Sequence, residues 1–370
     1  MPDTHSDSAE ISAKVTAAVE AFARGEIVVV SDDDDRENEG DLFVAANLCT
    51  PEKMAFVIRH TSGIVCAPLA RDDARRLRLD PMVSANDAPL GTAFTVTIDV
   101  KHGLTTGISA EERTNTVRAL ANHNTGPSDF VRPGHVFPLI AREGGVLMRS
   151  GHTEACVDLC RLADLPPVGV LAELMNDDGS VMRGDQVAAF AKQHNLHQLS
   201  IADLIAYRQA RDKLVERVGE FPVSSQVGPL KGYAYVTPFD PQHHMAFVYG
   251  RIDDGKDVLV RLHRADIIGD VFGGAKTVNA ALSRFKTEGR GVIIYLRDGT
   301  AGVPITAIPK DGDTGSDAAR IRQWREIGLG AQILKDLGIT SIRLLTSKKM
   351  TYVGLAGFGI EITATEAIES

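Results

Sequence analysis

"IVVVSDDDDRENEGD", Ile27 to Asp41, decides how the first half of this chain is read. The apolar run Ile27-Val28-Val29-Val30 has the composition of a buried strand. It empties into Ser31–Asp41, where seven carboxylates and one arginine occupy eleven residues. Such a cluster repels itself unless something offsets its charge. Taken alone, an acidic loop is more often just a solvated one. A hard divalent cation such as Mg²⁺, however, is held by carboxylate oxygens, and α/β proteins collect ligand-binding groups at strand ends.

The composition is that of a globular protein with enough length for two domains: 370 residues, 44% hydrophobic and 24% charged. A formal net charge of −9 argues against a nucleic-acid partner gripped by phosphate neutralisation. No apolar run approaches a membrane span, and the polar, acidic "MPDTHSDSAE" is no secretory signal. A cytoplasmic protein without membrane or nucleic-acid partners is the expectation. The four cysteines, Cys49, Cys66, Cys156 and Cys160, lack zinc-ribbon spacing, and Cys156 with Cys160 is one helical turn apart, as on a buried helix face.

Periodicity predicts a two-domain α+β or α/β protein. Ile11, Val15, Val19 and Phe22 recur at helical spacing, with "GEIVVV" as the first strand. "PEKMAFVIRHT" reads as a helix, "GIVCAPL" as a strand, "RDDARRLRL" as a short helix and "TAFTVTIDV" as a half-buried strand. A helix follows over about 114–122. The Pro/Gly-rich "NTGPSDFVRPGHVFPLI" reads as a long functional loop. A helix after "RSGHT", the strand "VGVLAEL" and two further helices reach about Tyr207. The charged, weakly periodic stretch 208–220 reads as a linker between domains at 8–207 and 221–363. The second domain shows strands at "AFVYGRI", "DVLVRLH", "GVIIYLR", "SIRLLT" and "GIEITA", with helices at "AKTVNAALSRFKTE" and "GAQILKDLG".

Three other stretches carry candidate chemistry. "RSGHTEA" (Arg149 to Ala155) places a glycine, a histidine and a threonine before a helix, where backbone N–H groups suit an anion. Arg149 offers a forked cation for phosphate, and His152 is a candidate metal ligand or acid–base group. The bland reading is an N-cap at Thr153. "RPGHVFPL" puts His135 in a Pro-constrained setting, and "LAELM" puts Glu173 at the end of an apolar strand. Single His or Glu residues there are usually structural, although burying an ionised Glu without a partner is costly.

"DDDDRENEGDLFVAA", "TSGIVCAPL", "TTGISAEER", "RPGHVFPL", "RSGHTEA" and "GVLAELMNDDG" occur in the order found in 3,4-dihydroxy-2-butanone 4-phosphate synthase of riboflavin biosynthesis. The resemblance covers about 8–205. It implies a lyase that converts D-ribulose 5-phosphate into the four-carbon phosphate and formate, using Mg²⁺ (or Mn²⁺), as a homodimer through this domain. By the same resemblance, Glu37 and His152 are metal ligands. Arg36, Glu37, Asp41, Arg149, Ser150, Gly151, His152, Thr153 and Glu173 bind substrate, His135 and Glu173 are catalytic, and Cys66 and Thr106 border the pocket.

Residues 221–363 resemble GTP cyclohydrolase II through "VRLHRADIIGDVFG", "EGRGVIIYLR" and "IGLGAQILKDLGITSIRLLT". That family's zinc site uses three cysteines. Here the first position is Asp266, "GGAKTVNAAL" replaces the other two, and the half contains no cysteine. "DGTAGVP" (Asp298 to Pro304) also lacks the family's glutamate and arginine. The expectation is a retained fold without zinc or GTP chemistry, serving as a structural or nucleotide-sensing module. The alternative is a bifunctional enzyme.

Overall fold

The computed structural model describes residues 4–32, 37–88, 90–213, 215–238, 240–297, 328–346 and 360–368. Arg36, the 298–304 segment and the 310–317 loop therefore lie outside the described residues. The chain divides into two compact units, Met1–Tyr207 and Arg208–Ser370. Among the described residues, no helix is long and apolar enough to cross a membrane.

The first unit is a mixed sheet with helices on both faces. Its strands are β1 (Val28–Ser31), β2 (Gly40–Ala45), β3 (Cys66–Leu69), β4 (Ile98–Val100), β5 (Phe130–Ile140), β6 (Gly169–Glu173) and β7 (His197–Ser200), in the order β4-β5-β3-β6-β2-β1-β7. Its helices are α1 (Thr4–Ala23), α2 (Pro51–His60), α3 (Arg71–Arg76), α4 (Ala110–Ala121), α5 (His152–Leu162), α6 (Asp185–Gln193) and α7 (Ile201–Arg211). Side chains alternate across the sheet. Val29, Leu42, Val44, Ala67, Val136, Val170 and Ala172 point into a core shared with Met54, Val57, Val117, Leu120, Val187 and Phe190 of α2, α4 and α6. Phe43, Cys66, Phe137 and Leu171 take the opposite parity, in one row across β2, β3, β5 and β6.

Several expectations change here. β1 pairs antiparallel with the unanticipated β2 (Val30 opposite Asp41), which brings the described ends of the acidic stretch, Ser31–Asp32 and residues 37–41, side by side. The 130–140 stretch is an eleven-residue strand rather than a loop. Its prolines and glycine mask the pattern, but Pro138 still accepts from the Thr95 N–H. The expected strand at 92–100 is regular only over Ile98–Val100. α4 begins at Ala110, earlier than the periodicity suggests, because Ser109 and Glu112 form a reciprocal capping box.

Cys156 and Cys160 are fully buried on α5, as their spacing implies. α5 lies so close to β6 that a Cβ on Gly169 would stand 2.2 Å from the Cys156 sulfur. Gly169→Ala is therefore expected to destabilise the fold by about 1–3 kcal/mol, the cost of overpacking a full core. Urea unfolding measures this, and an unchanged midpoint would mean that the helix has room to move.

The second unit has a seven-stranded sheet formed by β8 (Glu216–Ser225), β9 (Gly228–Thr237), β10 (Asp240–Tyr249), β11 (Val258–Arg264), β12 (Gly291–Leu296), β13 (Ser341–Thr346) and β14 (Glu361–Ala367). Their order is β14-β13-β11-β12-β10-β9-β8. β8, β9, β10 and β12 pair antiparallel, whereas β12, β11, β13 and β14 run parallel. Helix α8 (Lys276–Glu288) buries Ala281, Leu282 and Phe285 against Leu259 and Ile293. The 208–220 stretch, expected as a linker, holds the end of α7 and the first half of β8. β8 escapes sequence reading because its residues are exposed or half-buried and its pattern includes Gly219 and Pro222.

Candidate active site and its relatives

The turn of the first hairpin is built by Asp32. Its carboxylate oxygens accept the Glu37 N–H at 3.1 Å and the Glu39 N–H at 3.0 Å, while its own N–H donates to the Glu39 carbonyl. Asn38 takes a left-handed conformation, at φ 54°. Gly40 then passes so close to α6 that a Cβ would meet Val187 at 2.5 Å. This turn aims Glu37 at His152, the first residue of α5.

Asp32, Glu37 and His152 each present a ligand atom, and these atoms lie within 4.8 Å of one another. His152 Nδ1 stands 3.5 Å from Glu37 Oε2, and its Nε2 stands 3.9 Å from Asp41 Oδ1. Asp41 is 2% exposed, and among the described residues neither Asp41 Oδ1 nor His152 Nε2 has a hydrogen-bond partner. Two buried polar atoms that face each other beyond hydrogen-bond range are costly unless a third group satisfies both. The carboxylates of Asp32 and Glu37 converging with the His152 imidazole fit a small divalent cation. Sequence reasoning named Glu37, Asp41 and His152 but missed Asp32, one of four consecutive aspartates that only geometry can distinguish.

The protonation states support that fit. Burial pushes the Asp41 carboxyl up to about 7; His152 opposes this, whereas Glu173, Glu37 and Glu39 add to it. For His152, burial alone lowers the value, but Asp41, Glu37 and Asp32 override it and raise the imidazole to about 9. Both groups thus hold protons more tightly in the fold than in the unfolded chain. Burial also pushes the Cys66 thiol up, with Glu173 and Asp41 adding to the shift, so the thiol stays protonated beneath the site.

Sheet register gathers the other candidates. Two residues along from the Phe137–Cys66–Leu171–Phe43 row, in one direction, stand His135 on β5, Glu173 on β6 and Asp41 on β2. Period-two alternation puts Glu173 and Asp41 on the α5 face, whereas His135 follows a register shift in the β4–β5 pairing. Asp41 and Glu173 are direct cross-strand partners. Glu173 accepts the Ser62 hydroxyl at 2.8 Å. His135 lies two strands from Glu173, roughly 10 Å at the usual strand spacing, so it does not join the Glu37–His152 group. It pairs instead with Asp99, Nδ1 to Oδ2 at 2.7 Å, an aspartate the sequence reading passed over. Thr106 is exposed on the neighbouring loop.

Arg149 to Thr153 form the entrance to α5. The N-cap is Gly151, without a side-chain cap, so Thr153 is the second helical residue and not the cap. Ser150, His152 and Thr153 are buried. Arg149 donates to Glu154 at 2.6 Å and to Thr92 Oγ1 at 3.1 Å, which holds its guanidinium against the helix N-terminus. That end carries unsatisfied N–H groups and a favourable dipole for an anion.

In the second unit, His263 and Tyr295 are register partners near the C-terminal ends of parallel β11 and β12. His263 Nε2 lies 2.9 Å from Asp270, which also accepts the Tyr295 hydroxyl at 2.6 Å. Asp266, at the family's first cysteine position, is exposed. His263, Asp270 and Tyr295 fall within the quoted motifs but were not singled out from them.

Comparison with known proteins agrees with this two-part organisation. Residues 16–207 match the family described as 3,4-dihydroxy-2-butanone 4-phosphate synthase, and residues 216–367 match GTP cyclohydrolase II. The chain belongs to the 3,4-dihydroxy-2-butanone 4-phosphate synthase family, in the form fused to a GTP cyclohydrolase II domain. It is 47% identical, over 94% of its length and 67% of the relative's, to the "bifunctional riboflavin biosynthesis protein RIBA 1, chloroplastic" of Arabidopsis thaliana. Its structure is similar (TM-score 0.81, 35% identity, 95% of this chain and 99% of the other) to RibBX, "a two domain 3,4-dihydroxy-2-butanone 4-phosphate synthase from A. baumannii". A synthase solved "in complex with two Magnesium ions" shares 46% identity over 53% of this chain and 97% of its own, at TM-score 0.53.

Proposed function

We propose that the N-terminal unit is a divalent-metal-dependent lyase that converts D-ribulose 5-phosphate into L-3,4-dihydroxy-2-butanone 4-phosphate and formate. The observation that carries this reading is the convergence of ligand atoms of Asp32, Glu37 and His152 within 4.8 Å, with the buried Asp41 on the other nitrogen of the same imidazole. Glu37 and His152 would hold Mg²⁺ or Mn²⁺, with Asp32 and Asp41 beside them. The bound cation supplies Lewis-acid stabilisation for negative charge developing on substrate oxygens.

The chain's own groups do the rest. The α5 entrance, Arg149 to Thr153, receives the phosphate, a remote handle whose binding energy fixes the reacting carbons. Arg36 and Asp41 complete the substrate contacts. Glu173 and His135 move protons among substrate oxygens and carbons, and Ser62 keeps the Glu173 carboxylate oriented. The proposal includes a homodimer through this unit and residence in the cytoplasm.

Metal binding is expected to strengthen as pH rises. The folded apo state binds protons at Asp41 and His152 that the unfolded chain would release, since both values are raised. Their contribution to stability is thus present at low pH and is lost as pH climbs through about 7 and then about 9. A cation must displace those protons, so its affinity should rise about tenfold per pH unit for each proton displaced. Thermal unfolding with and without Mg²⁺ checks this: the gain in Tm should be larger at alkaline than at acid pH. A pH-independent gain would place the metal elsewhere.

For the C-terminal unit, the relative from Arabidopsis carries a bifunctional name, and together with the family match this favours a second, GTP-opening activity. The donor set of this chain favours a different reading. Zinc keeps its catalytic water through three protein ligands, and no cysteine exists beyond Cys160. We therefore hold that this unit does not open the GTP ring through a thiolate zinc site and serves as a structural or nucleotide-sensing module. Metal analysis of the full chain beside a GTP assay is expected to show neither bound zinc nor formate from GTP. Stoichiometric zinc with formate from GTP would establish the bifunctional alternative. A GTP-induced rise in Tm without turnover would mark the sensing role.

A further inference from the structure

We infer that His60 and His194 form a two-imidazole site for a divalent cation of the Zn²⁺ or Cu²⁺ kind, separate from the site proposed for Mg²⁺. Each histidine closes the same short pattern at the C-terminal end of a helix. "FVIRH", Phe56 to His60, ends α2, and "FAKQH", Phe190 to His194, ends α6 with His194 as its C-cap. A four-residue spacing puts each phenylalanine and its histidine on one helix face. The two faces meet. Ring centre to ring centre, Phe56 lies 4.5 Å from His60, and Phe190 lies 4.4 Å from His194. Across the helices, Phe56 stands 5.2 Å from His194 and Phe190 stands 5.4 Å from His60. The two imidazoles are thereby brought together, 5.0 Å apart with their planes at 55°.

Three features fit this pair to a cation. His102, His135, His152 and His263 each face a carboxylate, whereas His60 and His194 face each other. Both rings are half-buried, yet among the described residues no protein group is hydrogen-bonded to their nitrogens. Both also sit at helix C-termini, whose dipoles favour positive charge. The spacing is the third feature. A zinc–imidazole bond of about 2.0–2.1 Å puts a ring centre roughly 3.2 Å from the metal, so two rings at a tetrahedral angle have centres about 5 Å apart. That is the separation found here. Burial, His194 and Arg59 hold the His60 imidazole below its ordinary value, opposed by Asp177, which keeps a nitrogen lone pair available near neutral pH.

Two imidazoles select a metal that favours nitrogen, such as Zn²⁺ or Cu²⁺. Mg²⁺ is a hard ion that asks for oxygen, so it goes to Asp32 and Glu37 instead. Water completes the coordination shell, with the charge of the exposed Asp177 acting on His60. Bound there, the ion ties the end of α2 to the end of α6. The strap that follows His60 runs to the proposed acid–base group. The His60 carbonyl accepts the Met175 N–H at 3.1 Å, and the Ser62 N–H donates to the Glu173 carbonyl at 2.9 Å. The Ser62 hydroxyl then holds the Glu173 carboxylate at 2.8 Å. The clip therefore braces the start of this strap and takes no part in the chemistry.

The test loads the tag-free, full-length chain with Cu²⁺ in the presence of Mg²⁺ and reads it by pulsed EPR, where two imidazoles on one copper give combination lines that a single imidazole cannot. The wild type should show those lines. His60→Gln and His194→Gln should each lose them and weaken Cu²⁺ binding about tenfold or more, since even a change outside the ligand shell costs about 10–100-fold. His152→Ala should keep them, because the Asp32–Glu37–His152 group offers one imidazole. In that His152→Ala background Zn²⁺ should raise Tm, and adding His60→Gln should abolish the rise. Combination lines absent from the wild type, retained in both glutamine variants or lost in His152→Ala would overturn the inference. Should a glutamine variant not fold, the accessibility of wild-type His60 and His194 to diethyl pyrocarbonate decides instead. Zn²⁺ should protect both rings, and rings modified equally with and without Zn²⁺ would overturn the inference. None of these readouts needs turnover, so the synthase reading stands or falls separately.

Discussion

Glu37→Gln and His152→Ala are each expected to reduce formate release from ribulose 5-phosphate by at least about 10³-fold, the scale of several kcal/mol of charge stabilisation. His152→Ala removes, and Glu37→Gln neutralises, one of the three donors that converge within 4.8 Å. The fold should survive, because Asp32, not the Glu37 side chain, ties the hairpin turn. His152 packs edge-on against Phe43, so its truncation also leaves a small void, whereas Glu37→Gln keeps shape and tests charge alone. The second readout is Mg²⁺-dependent Tm, which both variants should lose. Near-normal turnover in either would mean that the metal is held elsewhere or not used.

Glu173→Gln should lower turnover by about 10² or more, as loss of a positioned acid or base does. Gln is isosteric and can still accept the Ser62 hydroxyl bond, so substrate binding should be largely kept. The effect then falls on kcat rather than KM. A variant that binds poorly but turns over normally at saturation would make Glu173 a binding group. The cross-strand pairing with Asp41 adds a further expectation: losing the Glu173 charge should lower the Asp41 value, since that charge helps raise it.

Much of the site was legible because its residues sit in dense, ordered motifs whose types match their chemistry. Glu37, Asp41 and His152 could be named from the sequence, and the structure draws them together. What the sequence concealed has physical causes. Choosing Asp32 from a run of four aspartates needs the turn geometry that makes its oxygens accept two main-chain N–H groups. Asp99 looked like the polar phase of an alternating strand, but a register shift turns it inward to His135. β5 was hidden by its own prolines and glycine, yet its bulge is what displays the histidine. β8 was read as linker because an exposed, charged strand carries little hydrophobic signal.

The separation of the two units was visible as a change in pattern, but their inner pairing was not. The parallel order of β12, β11, β13 and β14 depends on contacts distant in sequence. The missing thiols, by contrast, are a property of composition that no fold can restore. That is why the second unit is read against the bifunctional name of a relative.

The most direct test of the account assays the purified full-length chain with ribulose 5-phosphate, before and after metal removal by EDTA and again after adding Mg²⁺, with GTP as the parallel substrate. The account expects formate from ribulose 5-phosphate that stops on chelation and returns with Mg²⁺, and none from GTP. Formate release that persists undiminished in the metal-free protein, or no release with Mg²⁺ present, would contradict it.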